Sequence, residues 1–237
     1  MSLTKDNAKV IKILVIGDPG VGKTSVIQRY VNGVFSPTQQ PTLGVDFSLK
    51  ELIVEGGILG ASHSSSVHVQ LWDVAGQERS RKVSKVYFRD ALGAFVVYDI
   101  SRPATFDSVV KWKRELDDNV TMPNGSPLPV ILLGNKVDME RASVDLAYVE
   151  GFVKKHGFLS WSDISAKDAN DSGFELSVVR LVESILSGQD LLGPGLRLAT
   201  SANTKQTGGR HASGGIITLG SGGAKATATA GSRGCCS

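Results

Sequence analysis

The octapeptide Gly17-Asp18-Pro19-Gly20-Val21-Gly22-Lys23-Thr24 constrains the fold of this chain more than any other stretch. It fills every fixed position of the pattern G-x-x-x-x-G-K-[ST], and its flanks are those the pattern requires. The apolar run at 10–16 reads as a strand, and 22–32 has helical character that ends near Gly33. Glycines at these places let backbone N–H groups curl round phosphate oxygens, at a helix N-terminus that already favours anions. Lys23 is then placed to reach the β- and γ-phosphates, and the Thr24 hydroxyl to ligate Mg²⁺. The competing reading is a plain glycine turn with a helix cap. Strand, loop and helix in the right order weigh against it.

A phosphate loop alone leaves the base open. About 110 residues later the chain reads Asn135-Lys136-Val137-Asp138, directly after the apolar run 130–133. A loop leaving the C-terminal end of a buried parallel strand is where open α/β sheets bind ligands. A carboxylate there accepts two hydrogen bonds from an N1–H and an exocyclic amine side by side, which guanine has and adenine lacks. Adenine would leave two buried acceptor positions of Asp138 unmatched. Asn135 and Asp138 therefore narrow the nucleotide to guanine.

Two further segments supply the parts of a nucleotide switch. Thr42 lies 18 residues after Thr24, where its hydroxyl can reach Mg²⁺ and its N–H the γ-phosphate. Alone it is as well explained as a turn residue before a strand. Leu71-Trp72-Asp73-Val74-Ala75-Gly76-Gln77-Glu78 says more. Asp73 ends an apolar strand and can hold Mg²⁺ through water. Gly76 admits a backbone N–H close to the γ-phosphate, and the Gln77 amide can orient an attacking water.

The remaining organisation follows apolar periodicity. Strands are expected at 10–16, 43–54, 67–73, 92–99, 129–134 and 159–165, and helices at 22–32, 103–120, 143–157 and 172–187. A shorter, irregular helix is expected around 78–90. Ser172 and Glu175 form a capping-box pattern before the last helix, whose apolar face carries Phe174, Val178, Leu181, Val182 and Ile185. Two strands joined directly by the small-residue loop 56–66 imply a hairpin, and the strand–helix alternation of the rest implies a mostly parallel sheet. At 237 residues and 41% hydrophobic, the chain accommodates one α/β domain, 1–187, with a Gly/Ser/Ala/Thr-rich tail, 188–237, expected to be disordered. Net charge is only +3, with no dense basic stripe, so nucleic acid is not an expected partner. The four histidines are scattered rather than spaced as metal ligands. No run of 18 apolar residues occurs and residues 1–9 lack a signal-peptide core, so synthesis in the cytosol is expected.

The ordered set 17–24, Thr42, 73–77, 135–138 and Ser165-Ala166-Lys167 resembles the Ras superfamily of small GTPases over about residues 8–187. The resemblance implies a three-layer P-loop GTPase domain with a six-stranded, mostly parallel sheet and one antiparallel edge strand. It implies a nucleotide site made of Gly17, Gly20, Val21, Gly22, Lys23, Thr24, Ser25, Phe35, Thr42, Gly76, Asn135, Lys136, Asp138, Ser165, Ala166 and Lys167. Within it Phe35 would pack on the guanine, the Ala166 N–H would meet the guanine carbonyl, and Lys136 would cover the base. Mg²⁺ would be held by Thr24, Thr42 and Asp73, with Gln77 and Lys23 catalytic. Leu43-Gly44-Val45-Asp46-Phe47, Trp72 and Tyr87-Phe88-Arg89-Asp90-Ala91 are similar to Rab proteins, with Phe47, Trp72 and Tyr87 matching an aromatic triad that meets effectors. Residues 93–101, Lys111-Trp112-Lys113, 123–127 and Val74 resemble the Rab-thirty-two and thirty-eight branch, linked to lysosome-related organelles.

Cys235 and Cys236, the only cysteines, resemble the double-geranylgeranyl signal of Rabs. Gly234 excludes a C-a-a-X box, and adjacent cysteines cannot staple a domain. The expectation is a switch on the cytoplasmic face of intracellular membranes, late endosomal or lysosome-related, with a cytosolic pool and a monomeric GTPase domain. Its implied partners are an exchange factor, a GTPase-activating protein, a GDP-dissociation inhibitor, a prenylation escort protein and GTP-dependent effectors. Pro19, at a loop position usually small, and Ser80, where Rabs carry Phe, depart from the pattern. Two other readings remain: a GTP-binding scaffold with negligible hydrolysis, and a soluble P-loop kinase or ATPase.

Overall fold

The computed structural model describes residues 9–55, 64–77, 84–122, 124–140, 145–188, 197–200 and 217–218. Its central strand is β1 (Lys9–Ile16), which pairs in parallel with β3 (Ser64–Val74) on one side and β4 (Gly93–Asp99) on the other. Beyond β4 the parallel sheet continues through β5 (Val130–Asn135) and β6 (Ser160–Ile164). Beyond β3 lies β2 (Val45–Glu55), antiparallel, in register from Val45 opposite Val74 to Glu55 opposite Ser64. These are the six strands expected, with the antiparallel one at their edge. Strands β4 and β5 are buried at every residue. That is why they read as continuous apolar runs rather than alternating ones.

Helices flank the sheet: α1 (Lys23–Asn32), α2 (Ser84–Phe88), α3 (Pro103–Asp107), α4 (Val109–Asn119), α5 (Leu146–Lys155) and α6 (Gly173–Gly188). Helices α1 and α6 touch each other, and α6 leans on β4, β5 and β6. The apolar face expected of α6 is buried at all five positions. Each such side chain contributes roughly 1.5–3 kcal/mol of transfer free energy. The single helix expected at 103–120 is divided at Ser108. The Ser108 hydroxyl donates back to the Ala104 carbonyl (3.3 Å), a local bond that competes with the helical ladder and bends it. At the start of α6, the Ser172 carbonyl accepts from the Leu176 N–H at 2.9 Å, and Asp171 before it accepts from the Gly173 N–H at 2.6 Å and from the Ser165 N–H at 2.5 Å.

Two short strands extend the sheet past β2: β7 (Arg197–Thr200), with Leu198 opposite Val54, and β8 (Ile217–Thr218) beyond it. At these six residues the expected disorder of 188–237 gives way to pairing. The outer edge of β2 presents unpaired backbone groups that any extended segment can meet. The remainder of that tail lies outside the described residues. So do 56–63 of the hairpin loop, 78–83 of the irregular helix (with Glu78, Ser80, Arg81 and Lys82), and both cysteines.

The parallel strands all point their C-terminal ends the same way. The phosphate loop follows β1, Ala75–Gln77 follow β3, Asp99 ends β4, Asn135 ends β5, and Ser165–Lys167 follow β6. One edge of the sheet thus collects the phosphate loop, 75–77, Asn135 and 165–167, as open α/β sheets do for ligands.

Candidate nucleotide site

A cavity of about 700 Å³ opens at that edge. Its walls come from the phosphate loop (Pro19, Gly20, Gly22, Lys23, Thr24, Ser25), from 35–42, from Gly76 and Gln77, and from the loops carrying Asn135, Lys136, Asp138, Ala166 and Lys167. Phe35, Thr42, Gly76 and Gln77 are therefore brought to the same space as Lys23 and Asp138. Gly17, Val21, Asp73 and Ser165 stand behind this lining. Met139, Gln39 and Gln40 line it without having been marked by any motif.

The phosphate loop is shaped by glycine where a side chain would not fit. Gly22 has φ +95°, and a Cβ there would collide with the Asn135 side-chain amide. The close approach is used: Asn135 Nδ2 donates to the Val21 carbonyl at 2.8 Å, and its Oδ1 accepts from the Ala166 N–H at 3.2 Å. One buried amide joins the phosphate loop to both base-side loops. Gly76 meets the other flank, where a Cβ would strike the backbone of Gly17–Pro19.

Lys23 is 5% exposed, and its Nζ donates to the carbonyls of Gly17 (2.9 Å) and Asp18 (3.1 Å). Burial brings its pKa down to about 8, against the opposing pull of Asp73 and Asp18. Asp18 in turn accepts from the indole N–H of fully buried Trp112 on α4, at 2.9 Å.

Three oxygens meet beside Lys23. Thr24 Oγ1 lies 2.8 Å from Thr42 Oγ1 and donates to Asp73 Oδ2 at 2.5 Å, and Thr42 Oγ1 donates to the same oxygen at 3.2 Å. The other Asp73 oxygen is buried with no hydrogen-bond partner among the described residues. Burial pushes the Asp73 carboxyl up, while Thr24, Lys23 and Thr42 pull it down. Hydroxyls plus a desolvated, half-satisfied carboxylate are a hard-oxygen set that fits Mg²⁺.

On the base side, Asp138 accepts from the Ser165 hydroxyl at 2.6 Å, and Lys167 Nζ stands 3.6 Å from its other oxygen. Arg29 of α1 props the same loop, donating to the carbonyls of Ala166 (3.0 Å) and Lys167 (3.2 Å). No sequence motif pointed to Arg29, and nothing in its spacing would have. Lys136 bends over the phosphate loop to donate to the Gly20 carbonyl at 2.9 Å. Outside the cavity, Phe47 (59% exposed) stacks on Trp72 with centroids 5.9 Å apart, and Lys12 caps the Trp72 ring at 3.8 Å. Tyr87 sits half-buried on α2, and among the described residues no ring contact joins it to that pair.

The G-x-x-x-x-G-K-[ST] loop, the Asn135–Asp138 loop and the segments carrying Thr42 and Gly76–Gln77 thus meet at one parallel-sheet edge, the arrangement of a nucleotide-binding domain. Residues 12–186 match the pattern of the Ras family, and the chain belongs to that family. It is similar to the Ras-related protein Rab-32 of mouse, 47% identical over 181 residues, which are 76% of this chain and 77% of the relative. Rab-32B of Dictyostelium discoideum is 41% identical over 74% of this chain and 64% of its own. Rab-7L1 of rat is 38% identical over 75% of this chain and 83% of its own. The Rab likeness and the thirty-two-like branch read from the sequence agree with these relatives. The protein is accordingly a GTP hydrolase and a GTP-binding switch of membrane traffic.

Proposed function

We propose that this chain is a membrane-anchored Rab-type switch that holds GTP and GDP in the cavity at the sheet edge and hydrolyses GTP slowly. The observation that carries the reading is the meeting of Thr24, Thr42 and Asp73 beside Lys23, which brings three sequence-distant segments to one point. Asp138 and the Ala166 N–H read the guanine, Phe35 packs on it and Lys136 covers it. Asn135, Ser165 and Lys167 fix the loops that do this, and the phosphate-loop backbone from Gly17 to Ser25 cradles the phosphates.

Thr24, Thr42 and Asp73 would hold Mg²⁺, which would supply positive charge against the phosphates of the nucleotide. Gln77 is exposed at the cavity rim, free to place a water in line with the γ-phosphorus. Lys23 draws charge toward the leaving β–γ bridge. Among the described residues, none that lines the cavity wall is an arginine. Turnover without a partner is therefore set at about 10⁻⁴–10⁻² s⁻¹, with an activating protein supplying the missing cation. Thr42 and Gly76 contact a phosphate that GDP lacks, so their segments are ordered by GTP and released after hydrolysis.

Lipids on Cys235 and Cys236 anchor the protein, since two chains give the stable binding that one does not. The tail 188–237 serves as the tether of a domain spanning 1–187. Likeness to Rab-32 and Rab-7L1 supports an endomembrane address, late endosomal or lysosome-related, together with the regulators expected from the sequence. Phe47, Trp72 and Tyr87 present the effector surface.

The test is the base. Asp138→Asn exchanges one acceptor oxygen for a donor and turns preference from guanine toward xanthine nucleotides in competition binding. Full GTP affinity in that variant would sink the base-reading assignment.

A further inference from the structure

Asp99, the last residue of β4, falls in the 93–101 stretch, where the sequence assigns it no role, and does not line the cavity, yet it is 1% exposed and four bonds converge on it. The backbone N–H and the hydroxyl of Ser101 donate to Oδ1 at 3.0 and 2.6 Å. Lys136 Nζ and Arg102 Nε reach Oδ2 at 2.7 and 2.9 Å. Both cations extend further: Lys136 Nζ donates to the Gly20 carbonyl at 2.9 Å, and Arg102 Nη2 to the Pro19 carbonyl at 3.3 Å. A single buried carboxylate thereby ties the base-reading loop and the outer turn of the phosphate loop to the end of β4.

The backbone at Lys136 shows why the tie matters. Its φ is +74°, a left-handed conformation that costs a residue with a Cβ about 1–2 kcal/mol. Such strain persists only where the surroundings impose it. Here the two bonds of the Lys136 ammonium impose it, and the one to Asp99 is charge-assisted and largely desolvated. Burial alone would raise the Asp99 carboxyl, but bonds from Lys136, Ser101 and Arg102 hold it below the usual carboxylate range, so the anion is present at neutral pH.

We propose that Asp99 is a positioning residue that sets how long guanine nucleotide stays bound, acting through Lys136 over the base and Arg102 against the phosphate loop. The inference rests on the reading that Lys136 covers the base. Pro19 then has a defined mechanical partner. With no N–H of its own to offer, its carbonyl is the handle by which Arg102 holds this turn.

Release of a fluorescent GDP analogue from the full chain tests this. Asp99→Asn keeps the volume and removes the charge, and release should accelerate roughly tenfold, the loss of one charge-assisted bond. Lys136→Ala should accelerate it similarly, and the double variant should exceed Lys136→Ala by no more than about threefold, the share carried through Arg102, rather than by a further tenfold. A general structural role predicts multiplying effects. Arg102→Ala, at a half-exposed position that tolerates change, should accelerate release by about threefold, the value of one weak hydrogen bond. Release within twofold of wild type in Asp99→Asn, multiplying effects in the double variant, or an unchanged rate in Arg102→Ala would each overturn the inference. A wild-type chain that fails to retain the GDP analogue at all is a separate result: it removes the nucleotide-site reading, and this inference with it.

Discussion

Replacing Gly22 by alanine separates what the phosphate loop owes to its backbone from what it owes to Asn135. Two costs are readable. At φ +95° an alanine lies in left-handed territory, worth about 1–2 kcal/mol. Its Cβ also takes the place of the Asn135 amide, which must give up its bonds to Val21 and Ala166. Two buried bonds lost, each about 1 kcal/mol net and more when a partner is stranded, bring the total to ~3–5 kcal/mol. Expressed wholly in binding, that is a fall of roughly 10²- to 4 × 10³-fold in GDP affinity. Gly33 is the internal control. It too is left-handed, φ +69°, but a Cβ there meets nothing within 4 Å. Gly33→Ala should therefore lower domain stability by about 1–2 kcal/mol, seen in thermal melts, with GDP affinity moved less than twofold. Equilibrium titration with a fluorescent GDP analogue compares the two. If both variants lose the same affinity, the contact between Gly22 and Asn135 is not what holds the loops together.

Two further outcomes are expected. Gln77→Leu should cut hydrolysis stimulated by an activating protein at least about tenfold while leaving nucleotide affinity in place, as read by single-turnover phosphate release; undiminished hydrolysis removes Gln77 from the mechanism. His156, against the Phe152 ring at 4.4 Å, is held below its ordinary pKa by burial and by Lys155 and Lys113. The unfolded chain then binds a proton there more readily than the folded one, so stability should fall as pH drops through 6.5 and level off above it. His156→Gln should flatten that part of the melting-temperature profile, and an unchanged slope would assign the effect elsewhere.

Strand ends were the legible part. The phosphate loop, Asp73, Asn135 and Ser165–Lys167 each follow an apolar run, and the period of those runs is local information. Residues that act across the sheet were not legible. Asp18 gives no sign in sequence that Trp112, 94 positions away, donates to it. Asp99 was within reach: it ends a buried run, as Asp73 and Asn135 do, but the 93–101 stretch shows a family likeness without marking the carboxylate in it. Ser172 does stand at the head of α6, its carbonyl accepting from the Leu176 N–H, but nothing in the sequence hints that Asp171 before it also reaches two N–H groups. The division of the helix at Ser108 depends on one hydroxyl turning inward, which composition does not encode.

The antiparallel ribbon of β2 and β3 has a mechanical consequence. Thr42 lies just before the ribbon and Gly76–Gln77 just after it, at the same end, where the Ala75 N–H donates to the Gly44 carbonyl at 2.9 Å. The segments carrying Thr42 and Gly76–Gln77, far apart along the chain, are thus stitched side by side. A protein gripping that end of the ribbon reads both segments in one touch and need not distinguish them. The opposite end is roughly 35 Å away by strand rise. A change in length between β2 and β3 would therefore leave the pairing of Val45 with Val74 in register.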